Sequence, residues 1–206
     1  MTIIAEAGAL VHLVDDDVSI RRALRRVLEA AGHPCETWDS AEAFLSRPAA
    51  PEDGCVVLDL LLPGASGLDV QSRLSERVPS LPVIFLTGRG DIAASVRAMK
   101  GGAIDFLTKP PEPTALLDAI AAALARGRDL RAAEAAQAHA ATRFAQLTPR
   151  EREVLAHVVS GRLNKQIAGE LGIAEKTIKV HRARVMQKLG VRTLADLVRL
   201  VISNRP

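Results

Sequence analysis

Over the first 125 residues, short apolar runs alternate with stretches of helical period. Residues 10–14, 35–38, 55–58, 83–87 and 104–108 have strand length and carry little charge. Between them, apolar side chains recur at helical spacing over 20–31, 41–45, 68–77 and 92–100, and again over 114–124. Apolar strands joined by helices predict a five-stranded parallel sheet, doubly wound, with helices covering both faces. Sheets of that kind place their sites outside the carboxyl ends of the strands.

The pattern changes after residue 125. The stretch 126–146 is rich in alanine and poor in large apolar side chains, which predicts a solvated helical linker continuing the fifth helix. Leu130 lacks large apolar partners at heptad spacing, which argues against a coiled coil there. Residues 147–206 then read as four short helices. Thr148-Pro149-Arg150-Glu151 supplies an N-cap, a proline at the first helical position and an acid at the third. Gly161 and Gly172 mark helix ends, and two further helices are expected over 175–189 and 193–202. The expected layout is thus 1–125, a linker at 126–146, and an all-α four-helix domain at 147–206.

Charge sharpens this division. Residues 1–125 hold 17 acids and 11 bases, a balance of −6, whereas residues 126–206 hold 7 acids and 16 bases, a balance of +9. The basic carboxyl-terminal part is suited to a polyanion. A composition of 48% hydrophobic and 25% charged residues is that of an ordinary globular protein. No apolar run approaches the roughly 20 residues of a membrane-spanning helix. The first nine residues contain Glu6 and no basic start, so no secretory signal and no membrane partner are expected, and the location is read as cytoplasmic. Cys35 and Cys55 lie in apolar surroundings without a ligand-spaced neighbour and are expected to be buried free thiols.

The strand ends carry the candidate chemistry. The first strand runs into Asp15-Asp16-Asp17, the third into Asp59, the fourth into Thr87 and the fifth into Lys109-Pro110. Carboxylates converging on one rim repel one another, and a divalent cation with a preference for oxygen relieves that repulsion. A carboxylate beside such a cation can attack a phosphoryl group in line, while a lysine and a hydroxyl disperse charge on the transferred oxygens. Each residue alone has a plainer reading: an aspartate as a helix cap, a lysine as a surface charge. Their placement at successive strand ends is what favours the chemical reading.

VHLVDDD, VVLDLLLPGASG, VIFLTGRGD and AMKGGAIDFLTKP resemble the motifs of bacterial response-regulator receivers of the FixJ branch, over roughly residues 10–125. The resemblance implies a flavodoxin-like receiver in which Asp59 is the phosphoacceptor. It also implies a Mg²⁺ (or Mn²⁺) site built from Asp16 directly, Asp15 through water, Asp59, and the carbonyl of Leu61. The preference for Asp15 and Asp16 over Asp17 comes from the family pattern, because spacing does not separate them. Thr87 and Phe106 are similar to the family's switch pair, and Lys109 to its phosphoryl-binding lysine, preceding a cis proline. Two residues depart from the pattern. Leu62 stands where methionine is common, and Pro111 replaces a phenylalanine at the entry to the fifth helix, a region the family often uses to dimerise.

The tail from Leu147 to Val201 resembles the LuxR/NarL-type DNA-binding domain, and its 163–189 stretch is similar to regulators of the StyR/TodT branch. Residues 164–171 would be the first helix of a helix-turn-helix, 172–174 the turn, and 175–189 the helix entering the major groove. At about 100° per residue, Ile178, Val185 and Leu189 fall on a packed face. Lys176, Lys179, Val180, Ala183 and Gln187 cover the opposite face, suited to base edges and thymine methyls. Thr177, Arg184 and Lys188 flank it, suited to phosphates, as are Asn164 and Lys165 at the start of the first helix. Arg182 falls nearer the packed face, and His181 reads as a partly packed helix residue rather than a metal or catalytic histidine.

These readings predict a transcription factor switched by a cognate sensor histidine kinase, forming a homodimer on phosphorylation, binding double-stranded promoter DNA and acting on RNA polymerase. It would accept and slowly lose one phosphoryl group rather than turn over as an enzyme. An alternative is a phosphatase similar to the haloacid dehalogenases, which also use an Asp-x-Asp motif beside Mg²⁺. Ser19 fits that motif poorly, paired late acids are missing, and such an enzyme has no use for a basic helix-turn-helix. A second alternative is a binding module whose receiver works unphosphorylated.

Overall fold

The computed structural model describes residues 9–48, 53–88 and 92–204. The amino-terminal stretch considered for a targeting signal, and Arg89-Gly90-Asp91 of one strand-end motif, lie outside them. The chain divides between Ala132 and Ala133 into two compact units. Among the described residues, no helix is long and apolar enough to cross a membrane.

The first unit runs β1 (Leu10–Val14), α1 (Val18–Ala30), β2 (Cys35–Trp38), α2 (Ala41–Ser46), β3 (Gly54–Asp59), β4 (Leu61–Leu62), β5 (Ala65–Ser66), α3 (Gly67–Arg77), β6 (Val83–Thr87), α4 (Ile92–Lys100) and β7 (Asp105–Thr108) into α5 (Pro113–Ala145). Five parallel strands form one sheet in the order β2-β1-β3-β6-β7. Alternate side chains serve opposite faces, which is why these strands read as continuous apolar runs. Val11, Leu13, Cys55, Val57, Ile84 and Leu86 pack with Leu24, Leu28, Leu116 and Ile120 of α1 and α5. Val14, Val56, Leu58, Val83 and Phe85 face Phe44, Val70, Leu74 and Ala98 of α2, α3 and α4. Winding reverses between β1 and β3, where a doubly wound sheet opens its crevice.

Two details differ from the sequence pattern. β3 is longer than expected, so Asp59 is its last residue instead of following it. β4 and β5 form a short antiparallel hairpin that the pattern does not announce, turned at Gly64 with φ +79°. The fifth helix continues through the alanine-rich stretch and runs 33 residues in all, Pro113–Ala145.

Both cysteines are free and lie on strands flanking Val11 of β1, but only Cys55 is buried as expected; Cys35, on the edge strand, is half-buried. Burial pushes the Cys35 thiol up to about 11 and the Cys55 thiol up to about 12.

The second unit contains the end of α5, then α6 (Pro149–Val159), α7 (Asn164–Leu171), α8 (Glu175–Leu189) and α9 (Leu194–Ser203). Leu147, Val154, Val158, Ile167, Ile178, Val185, Leu189 and Leu197 make its core. Thr148 caps α6 in a reciprocal box with Glu151, with Pro149 at the first position, as its sequence predicts. α7 ends at Gly172 in the left-handed region, φ +65°, a conformation that costs glycine nothing and lets the chain turn sharply into α8.

Candidate functional site

Asp15 follows directly on β1, and Asp59 closes β3; because the two strands pair in register, their carboxylates meet at one rim. Asp15 is fully buried and Asp59 is 5% exposed, yet both face the same cation. The Lys109 ammonium lies 2.6 Å from Asp15 Oδ2 and 2.8 Å from Asp59 Oδ2. It is delivered by the turn after β7, across a cis Lys109–Pro110 peptide, and its backbone N–H donates to the Thr87 carbonyl at 2.7 Å. The second Asp59 oxygen, Oδ1, accepts from the Leu61 N–H at 3.3 Å. Asp15 Oδ1 accepts from the Asp17 N–H at 2.8 Å.

Burial pushes the Asp59 carboxyl above its ordinary range; the hydrogen bond and charge of Lys109 and the Leu61 N–H act against that rise without cancelling it. For Lys109 burial opposes the charge, but the two carboxylates outweigh it and hold the ammonium above its usual value. The aspartate row separates by role. Asp17 caps α1, accepting from the N–H groups of Ser19 at 2.7 Å and Ile20 at 3.3 Å, and those bonds lower its pKa. Asp15, Asp16 and Asp59 instead bring carboxylate oxygens within 4.8 Å of one another. With Lys109 they leave a balance of two negative charges in a set of hard oxygen donors, which fits a divalent cation of the Mg²⁺ type.

Thr87 ends β6, next to β3, and is buried; its hydroxyl donates to the Gly88 carbonyl at 2.9 Å. Phe106 is half-buried on β7, its ring 6.3 Å from that of Phe85. Gly67 is a contributor that sequence reasoning missed. A Cβ at that position would come within 2.4 Å of the Asp59 carbonyl oxygen and 3.0 Å of the Phe85 ring. Only the glycine after the β4–β5 hairpin lets α3 begin this close to the phosphoacceptor candidate. The signal was available in PGASG, but the contact it serves is not local.

In the second unit, α7, the Gly172 turn and α8 form the expected helix-turn-helix. Ile178, Val185 and Leu189 are buried, and Lys176, Thr177, Lys179, Val180, Ala183, Arg184 and Gln187 are exposed. Lys165 is exposed and Asn164 half-buried at the first turn of α7. Lys179 meets Glu175 at 3.3 Å, an exposed pair worth only a few tenths of a kcal/mol and easily exchanged for a phosphate. Lys188 is placed differently from its neighbours. Its ammonium lies 2.6 Å from Glu151 Oε2 and donates to the Gln146 carbonyl at 3.1 Å, so it ties α8 to the start of α6. Arg182 turns to Asn164, donating to Oδ1 at 2.6 Å. His181 is half-buried, as a packed helix residue should be.

Residues 11–121 match the response regulator receiver domain, and residues 145–201 match the bacterial regulatory proteins of the luxR family. The chain belongs to the response-regulator family. Nodulation protein W of Bradyrhizobium diazoefficiens is 45% identical to this response regulator over 196 residues, 95% of this chain and 86% of that protein. The transcriptional regulatory protein FixJ of Azorhizobium caulinodans is 41% identical over 192 residues, 93% of this chain and 91% of that one. Among solved structures, the response regulator StyR matches with a TM-score of 0.81 and 49% identity, covering 95% of this chain and 99% of StyR. The regulator therefore joins a receiver to a LuxR-type DNA-binding domain, and its relatives are transcriptional regulators.

Proposed function

We propose that this response regulator is a transcription factor whose Asp59 accepts a phosphoryl group from a sensor histidine kinase. The observation that carries the reading is the Lys109 ammonium held between Asp15 and Asp59 at the carboxyl end of a parallel sheet, with Thr87 on the neighbouring strand. An Asp59 carboxylate oxygen attacks phosphorus in line, the P–N bond to the kinase histidine breaks, and the imidazole keeps the electron pair. Lys109 moves from Asp59 Oδ2 to a phosphoryl oxygen, while Asp15 retains its other contact. Thr87 exchanges the Gly88 carbonyl for another phosphoryl oxygen, and Phe106 follows inward. Mg²⁺ or Mn²⁺, held by Asp15, Asp16, Asp59 and the Leu61 carbonyl, would neutralise charge on the transferred oxygens.

In this reading residues 1–125 are the receiver, 126–146 the helical linker and 147–206 the DNA-binding domain. Phosphorylation promotes a homodimer, and two helix-turn-helix units meet a two-fold related promoter site. Lys176, Lys179, Val180, Ala183 and Gln187 read bases; Asn164, Lys165, Thr177 and Arg184 contact phosphates, and RNA polymerase is the downstream partner. The protein works in the cytoplasm and is not a multiple-turnover enzyme.

Labelling with acetyl phosphate and Mg²⁺ tests the central claim. Wild type should take up about one acid-stable, hydroxylamine-sensitive phosphoryl group per chain, and Asp59→Asn should take up none while still folding. Labelling that persists in Asp59→Asn would overturn the assignment, and rapid turnover of small phosphomonoesters would favour a phosphatase.

A further inference from the structure

We infer that Arg182 is a positioning residue: it acts on DNA through Asn164, by fixing which end of the Asn164 amide faces outward. This rests on the DNA-binding reading of the second unit and deepens it. Arg182 lies on α8 and Asn164 opens α7, so their bond spans the two helices of the helix-turn-helix. A guanidinium only donates hydrogen bonds. The amide atom it meets at 2.6 Å must therefore be the oxygen, and the Asn164 NH₂ group is turned away from Arg182. Among the described residues, that NH₂ makes no protein hydrogen bond, and it is not buried.

In water a free asparagine amide has two orientations of similar energy, of which one presents a donor to an incoming phosphate and the other an oxygen that the phosphate repels. Arg182 removes the second. Arg182 also borders the small cavity lined by Val154, Val158, Val185 and Leu197 between α6, α8 and α9. The arginine is half-buried, off the exposed face of α8, and its guanidinium reaches Asn164. The outward NH₂ is a neutral donor set for a phosphate oxygen, next to exposed Lys165.

The test uses full-length protein and a mixed-sequence 40-base-pair duplex, with affinity measured across a salt series. Asn164→Ala should weaken binding roughly tenfold, about one hydrogen bond to a charged acceptor, whereas Arg182→Ala, which frees the amide to populate both orientations, should weaken it about twofold. The double variant should be no weaker than Asn164→Ala alone. Since the contact runs through a neutral amide, Arg182→Ala should keep a salt slope near wild type, whereas a direct arginine–phosphate contact would lower it by about 0.9. Arg182→Lys, which still donates to the amide oxygen, should recover much of the affinity. Asn164→Asp keeps the acceptor for Arg182 and loses the donor, so it should bind at least as weakly as Asn164→Ala. Wild-type affinity in Asn164→Asp, or additive losses in the double variant, would overturn the inference. If Lys179→Ala weakens binding while Arg182→Ala does not, the inference falls and the DNA reading stands. If wild type does not bind the duplex, both fall.

Discussion

Lys109 answers to two buried carboxylates at once, and its removal shows what holds the strand-end pocket together. In Lys109→Met, Asp15 and Asp59 lose their shared cation and repel each other in a site where water screens poorly. Breaking such an arrangement costs about 3 kcal/mol at neutral pH. The receiver should therefore melt lower than wild type in metal-free buffer. Millimolar Mg²⁺ should raise the melting temperature of the variant more than that of wild type, because the ion no longer competes with an ammonium for the same oxygens. Equal Mg²⁺ responses in thermal unfolding would show that lysine and metal do not share these ligands. At this scale the sequence was informative where geometry is forced. Asp15, Asp59, Thr87 and Lys109 were legible because parallel strand ends must converge. The division of labour between Asp16 and Asp17 was not, since it depends on which of them turns to cap α1. Gly67 stayed hidden because its constraint is the Asp59 backbone eight positions earlier, reached only after a hairpin folds back.

Among the elements, α6 has the most explicit start, and its cap has a measurable pH signature. The Lys188 hydrogen bond, followed by the Thr148 N–H, holds the Glu151 carboxyl down to about 2. A carboxyl depressed in the folded state stabilises it above the unfolded pKa of about 4.3, and that contribution is lost as the pH falls through the folded value. Glu151→Gln should cost about 1 kcal/mol or somewhat more at pH 7, on the scale of a lost cap. The gap in stability between variant and wild type should narrow between pH 4.5 and about 2, which denaturant titration of residues 133–206 would follow. A gap that stays constant over that range would contradict the ion pair. The capping box itself was legible in Thr-Pro-Arg-Glu. Its partner Lys188 was not, being 37 positions further on and at a place on α8 where phosphate contact was the simpler expectation. The same holds for Arg143, which donates to the Leu189 carbonyl at 2.6 Å and so finishes α8 from the last turns of α5.

For the molecule as a whole, the alternation of strands and helices and the jump from −6 to +9 in charge made both architectures readable, because periodicity and charge survive without tertiary context. The point of division was less readable, since alanine continues a helix without marking where one body ends. Residues up to Arg131 serve the first unit, where Arg131 pairs with Asp53. From Ala133 the helix belongs to the second unit, whose core includes Phe144 and Leu147. A fragment beginning at Ala133 should therefore melt at least about 5 °C above one beginning at Leu147, given that roughly 1 kcal/mol moves a domain of this size by 4–8 °C. Equal melting temperatures would mean that Arg143 and Phe144 add nothing to the fold. The two quiet thiols open a further route. With Cys35 held at about 11 and Cys55 at about 12, almost no thiolate exists at neutral pH for an alkylating dye to capture. A cysteine placed at exposed Ala195 would react alone, so the native chain is already a suitable background for attaching one fluorophore and following the regulator in real time.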